Sequence, residues 1–190
     1  MRRWVLPLVL GFVLAFVGYN FALGQFPRVL MTLATGRIAG ASGGRTFGAM
    51  VFGGSPGGPR ANVLTHAPVA TDKARMIVRP SPDLAYSSCP FDLSKGPVLV
   101  DVAPVPAVYW SLSVFDERTD AAYVRNNVEA DGQPIRIAIA QAGQPVPDGM
   151  TVVRVKGSSG IALIRILVQD RRQFAAIDAA RRQSSCKALS

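Results

Sequence analysis

From Trp4 to Phe26 the chain runs without a charged residue, behind a short basic head at Arg2 and Arg3. A run of that length can cross about 30 Å of hydrocarbon with some tilt. Pro7 and Gly11 are tolerable in a membrane helix, and Trp4, Tyr19 and Phe26 suit its interfaces. Two readings remain open. Ala22-Leu23-Gly24 has the small residues of a signal-peptidase site, but the apolar region exceeds the roughly 7–15 residues of a signal peptide. An uncleaved transmembrane anchor over residues 1–27 is therefore expected.

Beyond it the pattern changes twice. Arg28 to Ala39 reads as a short amphipathic helix with Val29, Leu30, Leu33 and Ile38 apolar. Gly40 to Pro59 is crowded with glycine, the mark of a flexible connector, so residues 28–61 join the anchor to the domain. Gly53-Gly54-Ser55-Pro56-Gly57-Gly58-Pro59 is no phosphate loop: it lacks the Gly-Lys-Ser/Thr ending, and its prolines remove amide donors.

Residues 62–190 are dominated by alternation. Met76-Ile77-Val78 is a short apolar strand stopped by Pro80 and Pro82. Val98, Val100 and Val102 share a face, as do Ile135, Ile137 and Ile139, and Val153 and Val155. From Ala107 to Phe115, Val108, Trp110, Leu112 and Val114 point one way; Tyr109, Ser111, Ser113 and Phe115 point the other. Ile161 to Val168 is apolar except for Arg165, as a central strand would be. Turn signals at Lys95-Gly96-Pro97, Asp131-Gly132, Asp148-Gly149 and Gly157-Ser158-Ser159-Gly160 separate these runs. The expected fold is mainly β, an antiparallel sandwich or barrel. A C-terminal helix over Arg171 to Gln183 follows, capped by Asp170 and docking Phe174 and Ile177, with Arg172 and Arg182 on a solvated face.

Charge refines the picture. Charged residues make up 17% of the chain, which leaves ample apolar material for a packed core, and the net charge is +9. The arginines are scattered and form no basic helix, zinc finger or ribonucleoprotein motif, so no nucleic-acid partner is expected. A basic surface suits anionic lipid or polysaccharide better, with the membrane itself as a partner. One histidine, His66, and two cysteines, Cys89 and Cys186, give no metal-ligand spacing, and no metal or cofactor is expected. The cysteines leave two states open, one long-range disulfide or two buried thiols. His66 has no Gly-x-Ser-x-Gly elbow to serve and reads as a loop histidine making local hydrogen bonds.

Candidate chemistry concentrates in Arg79-Pro80-Ser81-Pro82-Asp83, Tyr86-Ser87-Ser88, Phe91-Asp92-Leu93 and Gly96-Pro97, then Tyr109-Trp110-Ser111 running to Asp116. As a ligand site, Arg79 would clamp an anionic group, Tyr86, Tyr109 and Trp110 would form a wall, and Asp83, Asp92 and Asp116 would supply carboxylates. As structure, Asp83 and Asp92 would satisfy turn amides and Arg79 would pair with one of them.

These blocks, in this order, resemble the bacterial family called domain of unknown function 1254, over roughly Asn62 to Arg182. The resemblance implies a jelly-roll-type sandwich. It also implies a companion chain of the domain of unknown function 1214 type, to which longer relatives fuse this unit. It brings no agreed activity. The expectation is a single-pass protein of the inner membrane with its C-terminal domain in the periplasm, acting in binding or envelope assembly, with enzymatic activity open and disfavoured. The alternative is a cell-envelope enzyme acting on a small or lipid-linked substrate through Asp83, Tyr86 and Asp116.

Overall fold

The computed structural model describes residues 2–39, 61–69 and 81–189. The glycine-rich connector, the strand expected at Met76-Ile77-Val78 and the candidate Arg79 all lie outside the described residues.

Helix α1 runs from Arg2 to Ala39 as one unit, carrying Pro7 and Pro27 inside it. The separate short helix expected from Arg28 is therefore its continuation. Pro27 withholds a single amide donor, and the turns on either side keep the helical path. Within it, Pro7–Met31 is long and apolar enough to cross a membrane, with a mean hydropathy of 1.8. Its side chains from Leu8 to Phe26, and those of Val29 and Leu30, stand exposed, whereas Met31 is buried. α1 touches two strands of the β domain.

The β domain is two sheets. Strands β1 (Thr65–His66), β2 (Leu84–Asp92), β4 (Trp110–Asp116), β5 (Ala121–Asn126) and β8 (Ser159–Leu167) form one, in the order β1-β2-β8-β4-β5. Strands β3 (Val98–Val102), β6 (Ile135–Gln141), β7 (Thr151–Val155) and β9 (Ser185–Ala188) form the other, in the order β7-β6-β3-β9. All neighbours are antiparallel except β6 and β7, which run parallel. That exception comes from residues 142–150, which double back instead of forming a hairpin. Gln144 holds the bend: its Nε2 donates to Leu93 O at 2.7 Å, and its Oε1 accepts from Gln141 N at 2.9 Å.

One core joins the sheets, and strand periodicity explains it. Val98, Val100 and Val102 of β3 face Ile139, Ile137 and Ile135 of β6, all 0–2% exposed. From the five-stranded sheet Ala85, Cys89, Phe91, Trp110, Leu112, Val114, Ala162, Ile164 and Ile166 meet them in the same cluster. Phe91 lies over Gly160, where an added Cβ would sit 2.4 Å from the ring and 2.2 Å from Phe115 O. Glycine is the residue that lets β8 and β4 close there.

A covalent bond spans the core as well. Cys89 of β2 is disulfide-bonded to Cys186 of β9, with 6.4 Å between Cα atoms. β9 itself was not visible in the sequence. The expected long C-terminal helix is instead a 3-10 turn, Arg171–Gln173, running into helix α2, Phe174–Arg181. The Asp170 carboxylate does cap it, accepting from Arg172 N at 2.9 Å. Ile177 is buried in the core and Phe174 packs against it.

Candidate functional site

The carboxylates that the sequence singled out are spread over the sheet. β2 carries Asp83 just ahead of one end and Asp92 at the other. Asp116 pairs with Gly160, at the Asp92 end, while Leu84 pairs with Leu167 at the Asp83 end. Seven steps along β8, from Gly160 to Leu167, separate those two ends, about 23 Å at strand rise. Asp83 and Asp116 therefore cannot act on one small substrate.

Each carboxylate whose hydrogen bonds are defined serves its own turn. Asp116 is 2% exposed, and its Oδ1 accepts from Arg118 N at 2.8 Å and Asp120 N at 3.0 Å. Two amides on one oxygen fold the β4–β5 turn, where Thr119 takes a positive φ of 68°. Asp92 Oδ1 accepts from Ser94 N at 2.9 Å, and Asn62 clamps the Asp92 main chain through both its amide and its carbonyl. Asp83 is exposed, and its carbonyl accepts from Val168 N. Trp110 points into the core at 1% exposure, so it walls no pocket. Strand β4 begins at Trp110, which leaves Val108 ahead of it 69% exposed.

A second polar centre surrounds His66. Its Nδ1 lies 2.8 Å from Ser87 Oγ, the spacing of a base and a nucleophile. Ser87, however, is 1% exposed in mid-strand. The nearby carboxylate, Asp178, is engaged by Arg181 Nε and Arg182 Nε, each at 2.7 Å, rather than orienting the imidazole. Burial first, then Arg181 and Arg182, hold the His66 pKa down to about 4, against the opposing pull of Asp178. The imidazole is thus neutral at ordinary pH and accepts or donates locally without carrying charge.

Arg181 organises that corner. It is 1% exposed, and its Nη1 donates to Tyr86 O at 2.9 Å while Nη2 donates to Ala67 O at 2.8 Å. Its guanidinium also lies over the Phe174 ring. Burial lowers the Arg181 pKa, and the hydrogen bond and charge of Asp178 oppose that shift. Burial likewise raises Asp178, but hydrogen bonds from Arg182 and Arg181 outweigh it and leave the carboxyl lowered. With its donors matched to a carboxylate and two carbonyls, Arg181 ties α2 to β1 and β2. Sequence reading assigned that helix a solvated basic face and overlooked this residue; its i,i+3 spacing to Asp178 was the available signal.

The third centre lies on the face of the five-stranded sheet opposite the core. There Tyr86, Arg165 and Ser111 stand side by side on β2, β8 and β4, and Ser88, Leu163 and Ser113 form the next row. Arg165 Nη2 donates to Ser113 Oγ at 3.2 Å. Ser88, Ser111 and Ser113 are all 0–1% exposed, although alternation alone would have placed them in solvent. Two of the singled-out aromatics belong to this face. The Tyr86 hydroxyl accepts from Ser81 N at 3.1 Å, and Tyr109, 38% exposed ahead of β4, accepts from Leu167 N through its carbonyl. Among the described residues, no group of three or more His, Cys, Asp or Glu side chains could hold a metal ion.

Comparison with known proteins adds the family and the fold. A model of the family described as "Protein of unknown function (DUF1254)" matches residues 61–188. No curated protein matches the chain. Among solved structures, the VPA0106 protein from Vibrio parahaemolyticus is similar at 19% identity and a TM-score of 0.54, over 58% of this chain and 29% of that one. An uncharacterised protein from Burkholderia cenocepacia aligns at 14% identity and a TM-score of 0.45, over 67% of this chain and 34% of that one. The chain thus spans about a third of the length of these solved structures. The likeness to the Vibrio protein is one of fold.

Proposed function

The chain belongs to the DUF1254 family, and on that footing we propose that it is a membrane-tethered binding module rather than a catalyst. The observation that carries this reading is the placement of its carboxylates. Asp116 is buried on two turn amides, and Asp83 lies at the opposite end of the sheet, so no acid–base pair is assembled from them. Binding asks less: a stable face, held near its partner.

The setting follows from two features. The apolar Pro7–Met31 supports a single-pass anchor in the inner membrane. The Cys89–Cys186 bond supports an oxidising compartment, the periplasm, for the β domain. A companion chain of the domain of unknown function 1214 type is the partner this reading favours. In the Vibrio relative this unit accounts for 29% of the chain, so there the fold has further chain beside it. Val108 and Val128, both exposed where β4 begins and β5 ends and tied there by Asn127 Nδ2 donating to Val108 O, offer an apolar surface for it.

Placement is tested by fusing alkaline phosphatase, which is active only where disulfides form, after Ser190. Reporter activity in intact cells, with Cys89 and Cys186 protected from alkylation until reduction, is the expected result. An inactive reporter with both thiols freely alkylated would overturn the placement.

A further inference from the structure

Arg165 is the one charged residue in the central strand β8 between Ile161 and Val168, and its position is costly. Its Nε is buried without a hydrogen-bond partner. Directly across the strand pair, Ser111 Oγ is also buried without one. Nine-tenths or more of buried polar groups find partners, and an unmet donor costs stability. Among the described residues, no carboxylate forms an ion pair with Arg165. Its only side-chain bond there is to Ser113, a neutral hydroxyl. Two adjacent unmet groups, one cationic and both able to donate, have the donor chemistry of an oxyanion site.

The surroundings narrow the ligand. Ser88 and Ser113 add hydroxyls in the next row, and Tyr86 and Tyr109 border the cluster. Arg165 as a whole stays partly exposed, so the arginine is the member of the cluster that meets solvent, beside hydroxyls that are buried. α1 reaches β2 and β8, the strands that carry Tyr86 and Arg165, from outside the sandwich core, since buried Met31 is not part of the core cluster. Arg165 therefore lies on a strand that the apolar helix touches, with Ser111 and Ser113 on the next strand, β4. We propose that Arg165, Ser111 and Ser113 form a binding site for a phosphate oxyanion. That oxyanion is either the phosphodiester of an anionic lipid headgroup beside α1 or a free phosphate. Arg165 supplies the charge and Ser111 the second donor. A net charge of +9 draws such anions toward the domain.

Only the choice between the two sources rests on the tethered reading; anion binding itself does not require a membrane. The full chain is purified in detergent and titrated with inorganic phosphate. In parallel it is placed in phosphatidylcholine nanodiscs with and without phosphatidylglycerol, and the unfolding midpoint is followed by tryptophan fluorescence. The wild type is expected to be stabilised in at least one arm. A response confined to phosphatidylglycerol assigns the lipid source; a response to phosphate assigns the free anion. Arg165→Gln should weaken the response roughly tenfold or more in apparent affinity. Ser111→Ala should weaken it too, yet leave the unliganded protein as stable as wild type or more so, because it removes an unmet group. Arg172→Gln, on an exposed side chain, should respond as wild type. No stabilisation in either arm overturns the site, as does a wild-type response in Ser111→Ala. Loss of unliganded stability in Ser111→Ala would mark a structural role and overturn it equally.

Discussion

Cys89 and Cys186 lie 97 residues apart in sequence and are covalently joined between the two sheets, β2 to β9, inside the hydrophobic cluster. Closing so long a loop removes conformations from the unfolded chain, by about 4–5 kcal/mol of loop entropy. The Cys89→Ala/Cys186→Ala double variant should lose a large part of that, read as a lower urea midpoint with a steeper slope, because the unfolded chain freed of the bond exposes more surface. Equal midpoints for the wild type with and without reductant would contradict it.

The same bond explains part of what was hidden in the sequence. Val98, Val100 and Val102 announced β3 because alternation is a local property. β9, with the sequence Ser185-Cys186-Lys187-Ala188, has no such pattern. It is a strand because β3 offers a free edge and Cys186 is held opposite Val100. Tertiary pairing outweighs propensity there. The same limit applies to the sites. The two faces of β4 were legible, but the burial of Ser111 and Ser113 was not, since it depends on what covers the sheet. Arg165 stood out as a charge in an apolar strand, whereas Arg181 looked like any surface arginine on a short helix.

Arg181 should be the costliest arginine to remove. Arg181→Met strands the carbonyls of Tyr86 and Ala67 and leaves Asp178 only Arg182, a loss of about 3–5 kcal/mol expected for breaking a buried ion pair. Arg172, on the exposed face of the adjoining turn, should cost under about 0.5 kcal/mol as Arg172→Ala. Chemical denaturation of both variants checks the contrast, and equal costs would refute the role given to Arg181.

Stability should fall on mild acidification because of His66. Its folded pKa is about 4 and its ordinary value 6.5, so between those limits the unfolded chain binds more protons than the folded one. Stability is then complete above about pH 6.5 and declines as the pH drops toward 4. At a half-buried site the loss is on the order of 1–2 kcal/mol after allowance for solvent screening. Urea midpoints of wild type and His66→Gln between pH 5 and 7 should differ in slope; parallel profiles would remove His66 from the account.

Gly160 is a packing constraint with a clear test. Gly160→Ala puts a methyl against Phe115 O and the Phe91 ring, both within 2.4 Å of the added carbon. Overpacking of this kind costs about 1–3 kcal/mol. Calorimetry should show the loss, and Phe91→Leu in the same background should recover little of it, because the Phe115 carbonyl is backbone and cannot yield. Full recovery would mean that the ring alone sets the limit.

Capture of the intact chain tests the binding role most directly. The full-length protein, tagged at its C-terminus and expressed at native level, is cross-linked in cells, extracted from membranes and purified, with a Val108→Asp/Val128→Asp variant alongside. A single β-rich companion chain recovered in near-stoichiometric amount with the wild type, and lost with the variant, is the expected result. Recovery of the chain alone under both conditions would contradict the proposal that this module works by binding a partner.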